Sequence, residues 1–381
     1  MLRALRCPNC GDSQIGDDYC CRSCGSRLEP SLGDSVRCPD CNHPCPPGDR
    51  FCARCGAAVT APCPFCSEPH PASTTFCPAT GADMRIWHAW TVLRGPRPEE
   101  AEALLLGVPA LRGLDRPLGS ARQTLLHLAA FRGRCALVAH LLDLGADREG
   151  RTWLDETPLH LAAAGGSAPT CALLLDRGAD LEARTRQART PLHLAAAEGR
   201  REVAELLLAR GADLEATDDD ERTALHLAAL EGHEEVSVLL VGRGADLEEC
   251  RNFLGETPVL LAAQAGHAAV LDRLVALGAS LEARDWNGRG ALHLAALCGR
   301  EAMVADLLAR GMNPDSTDHK GASPLHLAAE RGHEAVLRLL LRAGASRELR
   351  DEAGMSPAGR ADRRGLRAAV ALLEGGNPTG P

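Results

Sequence analysis

The sequence predicts an all-α repeat solenoid preceded by small metal-held β modules. Three observations predict it. Downstream of residue 120, seven variants of Thr190-Pro191-Leu192-His193-Leu194-Ala195-Ala196 recur, and the His193 position reads His127, His160, His193, His226, Leu260, His293 and His326. Every step is 33 residues except one of 34, between His226 and Leu260, and a Gly follows each member after 18 residues, from Gly145 to Gly344. Finally, 13 of the 17 cysteines fall in residues 1–77, most of them in C-x-x-C pairs. A fixed period sets the architecture ahead of any local signal, because each unit is one supersecondary element that needs its neighbours.

Each part of the repeat follows from its residues. Thr190 can cap a helix, and Pro191 suits the first helical position, where its missing N–H is not needed. Leu192, Leu194, Ala195 and Ala196 give that helix a small apolar face. Gly199 ends it. Val203, Leu206 and Leu207 recur at helical spacing and predict a second, more apolar helix, which Gly211 ends. The polar run from Asp213 to Arg222 is too short for a further element and suits a tight hairpin, here called a finger. Two short helices cannot bury their apolar faces alone, so the units must stack, and the many Ala residues allow close approach.

The T-P-L-H-L-A-A, G-x-x-x-V-x-x-L-L and G-A-D-L-E-A series resembles the ankyrin repeat over residues 121–375. The resemblance implies a structural role for the six regularly spaced histidines, whose rings bridge backbone groups of adjacent units. Copies of the motif also lie about 10 Å apart, too far to share one metal ion. Leu260 interrupts the series, so one such bond is expected to be missing. An eighth copy begins at Ser356-Pro357, with Gly359 at the His position. Its Arg360, Asp362, Arg363 and Arg364 suit a C-terminal cap with a wet outer face. Residues 376–381 are a tail.

At the N-terminus, Cys7-Pro8-Asn9-Cys10 and Cys21-Arg22-Ser23-Cys24 are separated by ten residues, as are Cys38-Pro39-Asp40-Cys41 and Cys52-Ala53-Arg54-Cys55. Each C-x-x-C turns two thiolates toward one point, and two such knuckles complete a tetrahedral Cys₄ site for zinc. The segment resembles a double zinc ribbon, with ribbons at 1–30 and 36–58. A third copy, 61–84, has Cys63, Cys66 and Cys77, but Thr80 stands where the fourth Cys belongs, with His70 the nearest substitute ligand. The expectation is two structural zinc ions and a third site that is lost or weak. Cys20, Cys45 and His43 are surplus to the ligand sets. Four Cys ligands leave no open position for water, so the sites read as structural, and metal must supply much of the folding energy.

Composition narrows the function classes. The net charge is −9, and residues 1–77 hold seven Arg against eight Asp or Glu, so no basic footprint for nucleic acid is present. There is no apolar run of about 18 residues to span a membrane. The N-terminus runs straight into a Cys motif with no room for a signal peptide, and dense cysteine then points to metal rather than disulfides. The expected compartment is cytoplasmic, or nuclear in a eukaryote, and the expected state is a monomer. Cys135, Cys171 and Cys298 read as packing residues, while Cys250 falls in a finger.

Residues 85–120, with Trp87 and Trp90 three apart, form a linker or an eroded N-terminal cap repeat, and the cap is favoured. Aligning the fingers gives one tip residue each: Trp153, Arg186, Asp219, Phe253, Trp286, His319 and Glu352. Three of the ten aromatic residues of the chain fall at this position, which a polar hairpin does not need for stability. The alternative is that each ring folds back on its own finger. On the first helix the matching surface series is Phe131, Ala164, Ala197, Leu230, Gln264, Leu297 and Glu330, with Phe131, Leu230 and Leu297 as apolar footholds. Arg184, Arg186 and Arg189 face Asp218, Asp219, Asp220 and Glu221, a pattern expected to give cross-finger ion pairs. No paired acid and base, activated nucleophile or phosphate loop stands out. The reading is a non-enzymatic scaffold that grips a protein partner, with the ribbons as a second docking module. The alternatives are nucleic-acid binding through the ribbons or a thiolate redox switch in the third ribbon.

Overall fold

The computed structural model describes residues 82–95, 99–106, 108–118, 121–248 and 251–375, with the backbone of four two-residue strands nearer the N-terminus. There, β1 (Leu5–Arg6) pairs antiparallel with β2 (Ser13–Gln14), and β3 (Val36–Arg37) with β4 (Pro44–Cys45). Leu5 is opposite Gln14 and Val36 is opposite Cys45, so the two hairpins share one register. In sequence, each brackets a C-x-x-C pair. The cysteines expected to bind zinc, His70 and Cys250 lie outside the described residues.

The described chain divides into two compact units. The first runs to residue 128 and includes 139–147. Its α1 (Met84–Arg94) begins at Asp83, whose carboxylate accepts the Arg85 N–H at 2.9 Å, and closes at Gly95. The helix buries Ile86, Ala89 and Leu93. Trp87 and Trp90, also buried, stack with ring centroids 4.8 Å apart, as their i, i+3 spacing allows. A short α2 (Glu100–Leu105) packs on α1 through Ala101 and Leu105. The chain then turns, pairs Leu118 with Gln123, and sends the Asp115 carboxylate to the Asp147 N–H at 2.8 Å. Next come α3 (Leu125–Phe131) and α4 (Cys135–Asp143), each shared between the two units.

The second unit holds seven complete helix pairs: α5 (Pro158–Gly165) with α6 (Ala168–Asp176), α7 (Pro191–Ala197) with α8 (Arg201–Ala209), and α9 (Ala224–Glu231) with α10 (Glu234–Gly242). They continue as α11 (Pro258–Ala265) with α12 (Ala268–Ala276), α13 (Ala291–Leu297) with α14 (Glu301–Ala309), α15 (Pro324–Arg331) with α16 (Glu334–Arg342), and α17 (Pro357–Arg363) with α18 (Arg367–Leu373). The first helix of each pair stacks on the first helix of the next. Leu159, Leu192, Leu225, Leu292 and Leu325 are buried between them, each contributing about 1.5–3 kcal/mol. Alanines at 162–163, 195–196, 228–229 and 295–296 are buried too, and they set the close spacing. Gly165 shows how close: a Cβ there would lie 2.1 Å from the Phe131 carbonyl oxygen.

Helix starts and stops follow the sequence. Thr157, Thr190, Thr223 and Ser323 hold extended N-cap conformations, and left-handed Gly166, Gly232, Gly266 and Gly332 close the first helices. Cys171 is buried, and desolvation pushes its thiol up to about 12, as suits an inert packing residue. Cys135 and Cys298 are half-buried. The C-terminal repeat differs from expectation. Asp362, Arg363 and Arg364 are exposed, but Arg360 turns inward. It pairs with the buried Asp351 at 2.7 Å and with Glu330 at 3.3 Å, since Met355 stands where Arg222 and Arg289 hold the equivalent Asp218 and Asp285 of earlier fingers.

Candidate partner-binding surface

Four ladders of inter-repeat hydrogen bonds hold the fingers and first helices in register. The first is the histidine ladder. His193 Nδ1 accepts the Thr190 N–H at 3.2 Å and lies 2.8 Å from the Thr190 hydroxyl, while Nε2 donates to the Arg222 carbonyl at 3.0 Å. His160, His226 and His326 repeat this arrangement onto Arg189, Glu256 and Met355. Both nitrogens are committed to the neutral ring. Burial pushes His160 and His293 down to about 4, and also lowers His193 and His326. His293 Nε2 has no hydrogen-bond partner. Leu260 has no imidazole at all, which leaves the buried Thr257 hydroxyl unpaired.

The second ladder explains the G-A-D-L-E motif. The carboxylates of Glu149, Glu182, Glu215 and Glu248 each accept a backbone N–H of the following repeat, from Asp180, Asp213, Asp246 and Ser280, at 2.6–3.0 Å. The third runs through arginine. Arg151, Arg184, Arg251 and Arg284 each bond a carbonyl of their own hairpin and one of the next finger, that of Arg184, Thr217, Arg284 or Thr317. Thr217 and Thr317 carry no guanidinium, so this ladder pauses there. The fourth lies at the base of the second helices. Arg200, His233, Arg300 and His333 donate to the carbonyls of Ala164, Ala197, Gln264 and Leu297 at 2.9–3.1 Å, across left-handed glycines too tight for a Cβ. Sequence reading missed this series. Its signal was there, since Arg200, His233, Arg300 and His333 share the 33–34-residue period.

The tips are fixed by the backbone. The N–H groups of Arg186, Asp219, Phe253, Trp286, His319 and Glu352 each donate to the preceding finger, onto Leu154, Gln187, Asp220, Leu254, Asn287 and Lys320, at 2.8–3.1 Å. The tip residues aligned from sequence are therefore one register. Trp153, Phe253 and Trp286 are 41%, 55% and 62% exposed. Two of the tip rings pack on the preceding finger rather than on their own. Trp286 lies on Gly255 of the preceding finger, and His319 on Gly288. Guanidinium groups cover two of the rings: Arg186 lies 5.7 Å above Trp153, and Arg251 5.6 Å above Trp286.

On the first helices, Phe131 is 42% exposed, whereas Leu230 and Leu297 are half-buried and offer narrower footholds. The expected ion pairs form only in part. Arg189 reaches Asp218 at 3.3 Å, but Arg186 turns to Asp155 at 3.6 Å and Arg184 serves backbone carbonyls. Arg222 of the same finger also holds Asp218 and takes Asp220, while Asp219 and Glu221 stay exposed.

Comparison with known proteins agrees with this geometry. A model of ankyrin repeats matches residues 102–185, 126–218, 185–249, 225–318 and 292–379. A double zinc ribbon model matches 7–56 and again 38–81, so the second match takes in the third cysteine copy. No curated protein sequence matches the chain. Among solved structures, the ankyrin repeat domain of human ASB11 is similar, at 26% identity and a TM-score of 0.51, covering 59% of this chain and 100% of that one. No helix among the described residues is long and apolar enough to cross a membrane. With matches spanning most of its length and the stacked helix pairs in place, the chain belongs to the ankyrin-repeat family.

Proposed function

We propose that this protein is a non-enzymatic scaffold: the repeat array grips a protein partner with its fingertips and first helices, and the double zinc ribbon is a second docking module. The observation that carries the reading is the tip register, in which large aromatic side chains stand exposed on hairpins already ordered by backbone bonds. Ordered aromatics lose little entropy on binding and are common anchors of protein interfaces. His160, His193 and His326, the regularly spaced candidates for acid–base work, are bonded at both ring nitrogens within the fold, and burial lowers their pKa values, which supports a non-catalytic role.

Residues 82–118 serve as the N-terminal cap. Asp115 takes the place that Glu149 and its successors occupy in the carboxylate ladder, and the Trp87–Trp90 pair closes a helix pair of its own. In the ribbons, Cys7, Cys10, Cys21 and Cys24 would hold one zinc ion, and Cys38, Cys41, Cys52 and Cys55 a second. The donor set fits zinc, and the matching registers of the two hairpins around their C-x-x-C pairs suit twin knuckles. Cys63, Cys66 and Cys77, with His70, offer at most a weaker third site. Zinc there supplies folding energy to a segment poor in apolar residues.

The test is affinity capture with the intact chain beside a Trp153→Ala, Phe253→Ala, Trp286→Ala variant, with retained protein and nucleic acid both quantified. The scaffold reading expects a protein held by the intact chain and lost by the still-folded variant. Retention of the same proteins by both would remove the tips from the interface. Recovery of nucleic acid in place of protein would overturn the reading.

A further inference from the structure

Exposed charge is not uniform along the tips. The finger tipped by Asp219 is acidic at its surface, with Glu221 also exposed, and the last finger carries an exposed acidic tip, Glu352, two residues beyond the exposed Arg350. The three fingers between them are different. Their tips are Phe253, Trp286 and His319, and their cations are Arg251, half-buried, and the exposed Arg284, each held to two backbone carbonyls through Nη1, together with the exposed Lys320.

The acids of the same three fingers are used internally. Glu256 is buried and takes the Asn252 amide at 2.8 Å. Asp285 is buried and paired with Arg289 at 2.6 Å. Asp318 accepts the N–H groups of Lys320 and Ala322, closing its own turn. Glu282 is exposed but belongs to a finger base, the position from which Glu182, Glu215 and Glu248 reach the next repeat.

These tips also share one hairpin geometry. At the left-handed hairpin position, the earlier fingers carry Asp155, Ala188 and Glu221, whereas these carry Gly255, Gly288 and Gly321. The Trp286 ring rests on Gly255, so close that a Cβ there would lie 2.4 Å from it, and the His319 ring rests on Gly288 at the same spacing. Arg251 covers Trp286 at 5.6 Å. The Trp286 and His319 rings are packed on the preceding fingers before any partner arrives, and Phe253 and Trp286 remain more than half exposed.

Building on the scaffold reading, we infer that the fingers tipped by Phe253, Trp286 and His319 form a rigid aromatic and cationic strip for an extended acidic segment of a protein partner. The spacing sets the segment's pattern. Stacked helices lie about 8–10 Å apart, and a polyproline-II chain advances about 3.1 Å per residue with three residues per turn, so apolar side chains recur on one face about every third residue. Carboxylates between them meet Arg251, Arg284 and Lys320, and the flanking Asp219, Glu221 and Glu352 repel an acidic chain that slides out of register.

The probe is a synthetic acidic peptide of about ten residues with leucine at every third position, titrated against the full chain and followed by anisotropy. Its controls replace the glutamates by lysines or move the leucines to alternate positions. The strip expects binding that weakens with salt, and about tenfold weaker binding for either control. Trp286→Ala and Gly255→Ala should weaken it by about tenfold, the second by displacing the ring while keeping it in the chain, and Trp153→Ala should leave it unchanged. Near-equal binding of the acidic and lysine peptides, or indifference to Trp286→Ala in a variant with unaltered helical signal, would overturn the inference. Failure of the peptide alongside a partner capture that depends on Trp153 or Phe131 removes the strip and leaves the scaffold standing. A capture that ignores every tip removes the strip and moves the scaffold's grip to the first helices and the ribbons, and recovery of nucleic acid in place of protein removes both.

Discussion

Gly255 is the floor on which Trp286 rests: a single Cβ at Gly255 would come within 2.4 Å of the indole ring. The same residue sits at φ 78°, where side chains are strained. Gly255→Ala should therefore destabilise the array by about 1–3 kcal/mol in urea unfolding. The earlier fingers invert the case. Ala188 holds φ 55° without need of its methyl group, so Ala188→Gly should stabilise by about 0.5–1 kcal/mol. A gain at Gly255→Ala, or a loss at Ala188→Gly, would show that the hairpin conformation is not as described.

The gap at Leu260 makes a second expectation. Thr257 caps α11 with a buried hydroxyl that no ring meets, unlike Thr190 with His193. Leu260→His should restore the bond and raise stability by about 1 kcal/mol, while His193→Leu should lower it by about 1–3 kcal/mol by stranding the Thr190 hydroxyl and removing one of the two bonds to the Arg222 carbonyl. Chemical denaturation of both variants reads this directly, and equal losses in the two would contradict the ladder.

Acid should loosen the array through the same rings. The folded values of His160 and His293 are held down to about 4, against about 6.5 for a free imidazole. The unfolded chain thus binds protons first as the pH falls. The stability these rings give is whole above about pH 6.5 and is lost progressively down to about pH 4, by roughly 3 kcal/mol for each of the two. Urea midpoints should be level above about pH 7 and fall clearly by about pH 5. A midpoint unchanged over that interval would mean that the rings are not neutral and buried.

Zinc should be separable from the helices. Metal analysis of the purified chain is expected to give about two ions per molecule, and Cys52→Ser should remove about one. The array is held by its own hydrogen-bond ladders. Chelation should therefore leave its helical circular dichroism intact while exposing the cysteines to thiol reagents. Loss of the helical signal on chelation would tie the array to the metal. A third tightly held ion would promote Cys63, Cys66, Cys77 and His70 to a full site.

Much of this was legible in the sequence, for physical reasons. Pro191 and Thr190 mark a helix start by their own backbone chemistry, and Gly at the left-handed positions marks its end, so the helix pairs needed no tertiary information. The tip alignment held because a constant period keeps equivalent residues in register, which the bond from the Trp286 N–H to Leu254 now displays. What could not be read was the direction of long side chains. Arg184, Arg186 and Arg189 sit in one finger opposite one acidic run, yet they go to a carbonyl, to Asp155 and to Asp218 respectively. Arg360 looked like a solvent-facing cap residue, yet it turns inward to Asp351, whose own finger has Met355 where Arg222 and Arg289 hold the equivalent Asp.

The account's central claim is that the tips touch a protein. A photoreactive phenylalanine in place of Trp286, compared with one in place of Val238, exposed on α10 away from the fingers, tests it most directly. The account predicts that light joins the chain to a discrete protein from the Trp286 position and not from the Val238 position. Equal cross-linking from both positions, or from Val238 alone, would contradict it.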